Sequence, residues 1–213
     1  MLSFFYAEIK YYIRSFKELA VICNLFVSIL LLAPLTLPAG TNIPDEWRGL
    51  VLWIGLLVIT QTIGGMSWQR HDETGELAQF QLLPWPLEGT VLMKIAAAYA
   101  ATMMPVIAIV PIAMLGFGTE EATTHSLACL AVGGLGLTGI YQLGAGLMTG
   151  YRRSVAMLGI IALPFAMPIM IFGASAFHQG LDSSSELWFM LGYALCILPF
   201  ACVAIAASLR TSH

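Results

Sequence analysis

Charge is what this sequence has least of. Only 10% of its 213 residues are Asp, Glu, Lys or Arg, and 59% are apolar; a soluble domain carries about a quarter charged residues. Six stretches hold no charge for at least the ~18 residues that a bilayer crossing needs: 19–44, 49–69, 95–119, 122–151, 154–181 and 187–209. The next longest, 77–87, is too short to cross. Six spans use most of the chain and exclude a sizeable soluble domain. Lysine is scarcer still. Lys10, Lys17 and Lys94 are followed by Tyr, Glu and Ile, so the GxxxxGK[ST] loop that cradles nucleotide phosphates is missing. HExxH, GxSxG and dinucleotide fingerprints are missing too, and no enzymatic activity is expected. The six charge-free stretches hold no acidic or basic residue except histidines near their ends. Their deep polar groups are the weak ones Thr60, Gln61, Thr62, Thr102, Thr138 and Gln142, which argues against a proton- or sodium-coupled carrier and against an intramembrane hydrolase. Four cysteines, Cys23, Cys129, Cys196 and Cys202, fall inside spans without a CxxC pair. They read as small apolar packers and not as a disulfide or metal set. No basic patch suggests nucleic acid.

What charge there is sets orientation. With the N-terminus inside, eight of the nine basic residues (Lys10, Arg14, Lys17, Arg70, Lys94, Arg152, Arg153 and Arg210) lie on the cytoplasmic side, and only Arg48 lies outside. The expected fold is an all-α integral membrane protein, one transmembrane domain over 1–213. Its six helices run about 19–39, 48–69, 90–115, 125–149, 154–176 and 187–209, and both termini are cytoplasmic. Residues 3–18 carry an aromatic-apolar stripe (Phe5, Ile9, Tyr12, Ile13, Phe16) and a basic stripe (Lys10, Arg14, Lys17) at helical spacing. That pattern suits an amphipathic helix in the headgroup layer, facing anionic membrane lipid; the plainer reading is a basic flank that only sets topology. The apolar run that follows is too long for a signal h-region, so this segment is expected to stay in the mature protein.

Several positions invite a role. Glycines crowd the fourth span (Gly133, Gly134, Gly136, Gly139, Gly144, Gly146, Gly150) and allow close helix approach, within one subunit or across a homodimer seam. In the fifth span, Pro164 and Pro168 each remove a backbone donor, which suggests a hinge. His125 and His178 sit at the outer ends of spans four and five, as boundary residues or as contacts for a haem iron. His71 and His213 read as solvated, and Trp68 as an interface anchor. The longest polar segment, 70–89, is cytoplasmic. In it Asp72, Glu73 and Thr74 precede a helix-forming run from Glu76 to Leu83 that Pro84 and Pro86 stop. Leu77, Phe80 and Gln81 would share one side, able to plug into a groove on a soluble partner; the alternative is a solvated connecting loop.

This segment resembles the first cytoplasmic loop of type-2 ABC exporter permeases and, more closely, that of CcmB, the haem exporter protein B family of cytochrome c maturation. The shared residues are Gly75, Leu77, Gln79, Leu82-Leu83-Pro84, Pro86-Leu87, Val91-Leu92 and Lys94, with Leu163-Pro164, Pro168 and Ile171-Phe172 in span five. Ala78 departs from the pattern, where the family often carries Glu. The resemblance implies an ABC-2-like permease subunit with no intrinsic cofactor, in a bacterial inner membrane. It implies a CcmA-like ATPase partner, CcmC- and CcmD-like membrane subunits, a CcmE-like haem chaperone, and haem as the substrate of the complex. Residues Asp72, Glu73, Gly75, Glu76, Leu77, Phe80 and Gln81 would then couple to the ATPase. Two alternatives stand beside a conducting permease: a mechanical or assembly subunit that conducts nothing, and an ABC-2 permease for another lipid or drug.

Overall fold

A computed structural model of the chain describes residues 2–14, 16–35, 45–80, 82–116, 123–149, 155–179 and 184–211. It is all-α. In chain order the helices are α1 (Leu2–Arg14), α2 (Phe16–Leu35), α3 (Asp45–Thr74), α4 (Leu77–Phe80), α5 (Leu87–Gly116), α6 (Thr123–Leu147), α7 (Val155–Gln179) and α8 (Ser184–Thr211). Among the described residues five stretches are long and apolar enough to cross a membrane: Trp47–His71, Leu87–Ala113, Leu127–Leu147, Met157–Ala176 and Ser185–Thr211. The first expected span corresponds to α2. Its described apolar part is Ala20–Leu32, and residues 36–39 of the expected span lie outside the described residues.

Apolar side chains on the outer surfaces of these helices, such as Leu32, Ile112, Ile160, Ile171 and Phe200, are exposed, as they must be where lipid tails are the solvent. The interior is built on α6, which packs against α3, α5, α7 and α8. Its glycines let neighbouring side chains reach its backbone. An added Cβ on Gly146 would lie 2.8 Å from Ile205 of α8, and one on Gly136 2.6 Å from Ile169 of α7. The glycine stripe therefore serves packing within this chain, while Gly150 lies outside the described residues. The tightest joint is the Trp53 ring of α3, fully buried between Gly133 of α6 and Gly173 of α7. A Cβ on either glycine would overlap the ring.

Helix ends depart from expectation in one informative way. α3 does not stop at residue 69, where charge begins, but runs on to Thr74. Its 30 residues make a rod about 45 Å long, against about 30 Å of hydrocarbon. Charged residues leave the lipid without leaving the helix. The run expected as a helix from Glu76 to Leu83 shrinks to the single turn α4, and Gln81 lies outside the described residues. α1 likewise ends at Arg14, so Phe16 and Lys17 begin α2. Pro164 and Pro168 both sit inside α7, which continues through them, and the Tyr193 hydroxyl of α8 donates to Phe165 O at 2.9 Å. Three further prolines that the sequence reading passed over, Pro105, Pro111 and Pro199, lie inside α5 and α8.

Candidate functional site

The connection from α3 to α5 is built by its backbone. Gly75 follows the last helical residue with φ +70°, the left-handed conformation that costs other residues a Cβ clash. The Glu76 amide then donates to His71 O at 3.1 Å. This is the Schellman cap, which brings the residue three back from the helix end beside the one just past the glycine. Here those two are His71 and Glu76, and His71 Nδ1 lies 2.6 Å from Glu76 Oε2. No atom stands within 4 Å of a Cβ added to Gly75, so Gly75→Ala meets only backbone strain. Its expected cost is about 1 kcal/mol, with Gly75→Asn milder, read from thermal melts of the purified protein.

The other face of His71 meets α1. His71 Nε2 lies 2.9 Å from Glu8 Oε1, and the same oxygen lies 3.6 Å from Lys94 Nζ of α5. Both bonds of the ring form together when each ring nitrogen carries a hydrogen or when one carboxyl does. Glu8, His71 and Lys94 are 5%, 4% and 1% exposed, so three ionisable groups far apart in sequence share one buried site. Lys94 also sits 5.0 Å from the Trp68 ring centroid, and Trp68 Nε1 donates to Gln142 Oε1 of α6 at 2.6 Å. Beside them the Arg70 guanidinium covers the Tyr11 ring at 3.4 Å, a cation–π contact between α3 and α1.

Three sequence expectations are corrected here. His71 is not solvated, because the helix that carries it outlasts the membrane and folds its ring against α1. Trp68 is no interface anchor, being 1% exposed and bonded inside the bundle. Lys94 is more than a topology marker, since it lies on the buried stripe of α5 with Val91, Ile95 and Ala98. Glu8 escaped the sequence reading altogether. It falls one turn after Phe4 and one before Tyr12, and this third face of α1 is the one turned to the protein.

The proposed coupling residues divide. Leu77 and Phe80 are buried at 9% and 6%, and Phe80 stands edge-on to Phe4 of α1 with centroids 5.7 Å apart and to His71 at 5.1 Å. The face expected to enter a partner's groove is thus folded inward, Phe80 against Phe4 of α1, where burial of two large side chains is favourable. Glu76 is half-buried, Gly75 is exposed, and Leu82 beyond α4 is 83% exposed. The side chains of Asp72, Glu73, His125 and His178 lie outside the described residues, although the backbone places the two histidines in the first turn of α6 and the last turn of α7. A cleft of about 320 Å3 opens between α1 and the turn, lined by Phe4, Glu8, Arg70, His71, Glu76 and Phe80. The strand of chain beyond it is tied down by Trp85 Nε1, which donates to Thr90 Oγ1 at 3.0 Å.

Burial alone would raise the Glu8 carboxyl. The hydrogen bond with His71 and the positive charges of Lys94, His71 and Arg70 outweigh it and hold the group below its ordinary value of 4.5. Docked α1 therefore prefers ionised Glu8. This contribution is fully present above the ordinary value and is lost as pH falls through it to the lower docked value. A spin label at exposed Tyr6 should gain mobility over that acidic window.

These features define a multi-pass all-α membrane protein that carries, at one end of its helix bundle, a compact turn seated on a buried ionic cluster. A family model described as CcmB protein matches residues 1–212, and the chain belongs to that family. It is 29% identical over 211 residues to "Heme exporter protein B" of Pseudomonas aeruginosa, covering 96% of this chain and 94% of that one. It is 30% identical over 166 residues to the protein of the same name from Paracoccus denitrificans, 76% of each chain. Against that of Escherichia coli K12 it is 26% identical over 220 residues, covering 98% and 96%.

Proposed function

We propose that this chain is the permease-type membrane subunit of an ABC complex for cytochrome c maturation in a bacterial inner membrane. In this reading a CcmA-like subunit hydrolyses ATP and docks on the turn between α3 and α5. CcmC- and CcmD-like subunits and a CcmE-like chaperone handle the haem, and this chain has no catalytic activity of its own. Family membership supports the setting. The observation that carries the coupling role is the turn itself: capped, fastened to α1, and presenting Leu82 and Gly75 outward. Leu82, 83% exposed just beyond α4, is the apolar side chain of this turn that is open to a protein partner.

Two measurements test it. A cysteine at Leu82 should resist a membrane-impermeant maleimide in intact spheroplasts and react after permeabilisation; reaction from outside would reverse the topology and sink the proposal. Leu82→Asp should reduce co-purification of the ATPase, because a charge now faces an apolar groove, and unchanged capture would place the docking site elsewhere. The bundle centre favours a mechanical subunit over a conducting one, since Trp53 fills the space between three helices. ATP-dependent haem crossing in reconstituted vesicles would reverse that preference.

A further inference from the structure

The ionic cluster joins four parts of the molecule in one unbroken sequence of contacts. Glu76 belongs to the turn, His71 to α3, Glu8 to α1 and Lys94 to α5; the separations along it are 2.6, 2.9 and 3.6 Å. From Lys94 the contacts pass to Trp68 and on to Gln142 of α6. α1 also packs along α5, while its Phe4 grips Phe80 of the turn. An apolar contact alone would fasten α1 as firmly, and replacing a buried ion pair by apolar groups of like volume is often neutral for stability. What the charges add is direction. The His71–Glu8 contact at 2.9 Å is short enough to be a directed hydrogen bond between α3 and α1, and the Glu8–Lys94 pair at 3.6 Å adds a counter-ion attraction between α1 and α5.

We infer that Glu8 and Lys94 are positioning residues through which α1, moving together with the turn, delivers the turn's displacement to α5 and the bundle. The inference rests on the proposed docking at the turn and assigns α1 the part of a moving lever, where a basic interfacial helix could have been a fixed brace.

The double variant Glu8→Gln with Lys94→Met removes both charges and keeps both shapes; the amide that replaces the carboxylate can still bond His71. In the complex with its ATPase the variant should accumulate and hydrolyse ATP. Holo-cytochrome c formed per ATP should fall about tenfold, the usual size of a coupling effect between sites. An unchanged ratio would overturn the inference and leave the docking proposal standing, whereas loss of ATPase capture by Leu82→Asp is governed by the docking proposal alone. A second measurement does not depend on that variant folding. Phe4→Cys with Phe80→Cys, in a background where Cys23, Cys129, Cys196 and Cys202 are replaced by alanine, would be joined by a short cleavable bis-thiol cross-linker. The joined complex should turn over as the cleaved one does. Arrest on joining with recovery on cleavage would show that the turn slides past α1, and α1 would be a brace.

Discussion

Glu8→Ala should destabilise the protein by about 3–5 kcal/mol, the usual consequence of stripping one partner from a buried ion pair. The loss has an identifiable origin. Lys94 is 1% exposed, and its ammonium has no hydrogen-bond partner among the described residues. Glu8 at 3.6 Å is its counter-ion. Without that carboxylate the buried ammonium keeps the Trp68 ring at 5.0 Å and the attraction of the more distant Glu76 carboxylate, and a cation–π contact is worth about 0.5–2 kcal/mol. His71 loses one of its two hydrogen-bond partners at the same time. The measurement is a thermal or denaturant melt in detergent or nanodiscs, together with protease access to α1. The comparison that gives it meaning is the Glu8→Gln, Lys94→Met double variant, which should melt near the wild type because no charge is left unpaired. If the double variant proved as unstable as Glu8→Ala, lost shape and not lost charge would be responsible.

Trp53→Ala should cost about 3–5 kcal/mol as well, for a different reason. Lipid tails are as apolar as the ring, so burial from water contributes little to holding α3, α6 and α7 together; close contact does the work. The Trp53 indole N–H is buried without a partner among the described residues, so the ring is held by its shape. Gly133→Ala or Gly173→Ala would force that ring aside, at about 1–3 kcal/mol each. Combining either with Trp53→Ala should give much less than the sum, because the space vacated by the ring admits the new methyl. Unfolding in mixed micelles reads each of these variants. Additive losses would mean that the ring and the glycines are not one joint.

How much of this could be read in the sequence depended on whether the signal was local. Spans α5 to α8 were visible because lipid excludes charge, so a charge-free run of the right length needs no knowledge of the fold. The same rule misplaced the C-terminal end of α3. Arg70, His71, Asp72 and Glu73 end a hydrophobic run but not a helix, and the true stop signal was Gly75, whose positive φ makes the cap. The ionic cluster was harder, since Glu8, His71 and Lys94 meet only when three helices are assembled. Each still left a trace. Glu8 is the one acid in a basic, aromatic helix, and Lys94 shares a helical face with Val91, Ile95 and Ala98, where a solvated lysine would not be placed. The inward turn of Leu77 and Phe80 had no such trace, because an apolar side of a short helix looks the same whether it faces a partner or its own chain.

The unbroken length of α3 has a consequence for traffic in the opposite direction. A rod about 45 Å long swings its far end by about 4 Å when it tilts by about 5°. Anything that presses on the Asp45 end therefore shifts His71 and the turn at the other end, with no loop in between to absorb the movement. Linkage makes such a lever work both ways. In the proposed complex, binding of a partner at the Asp45 end would then alter the affinity of the turn for the docked ATPase, and docking would alter that partner's affinity by the same factor.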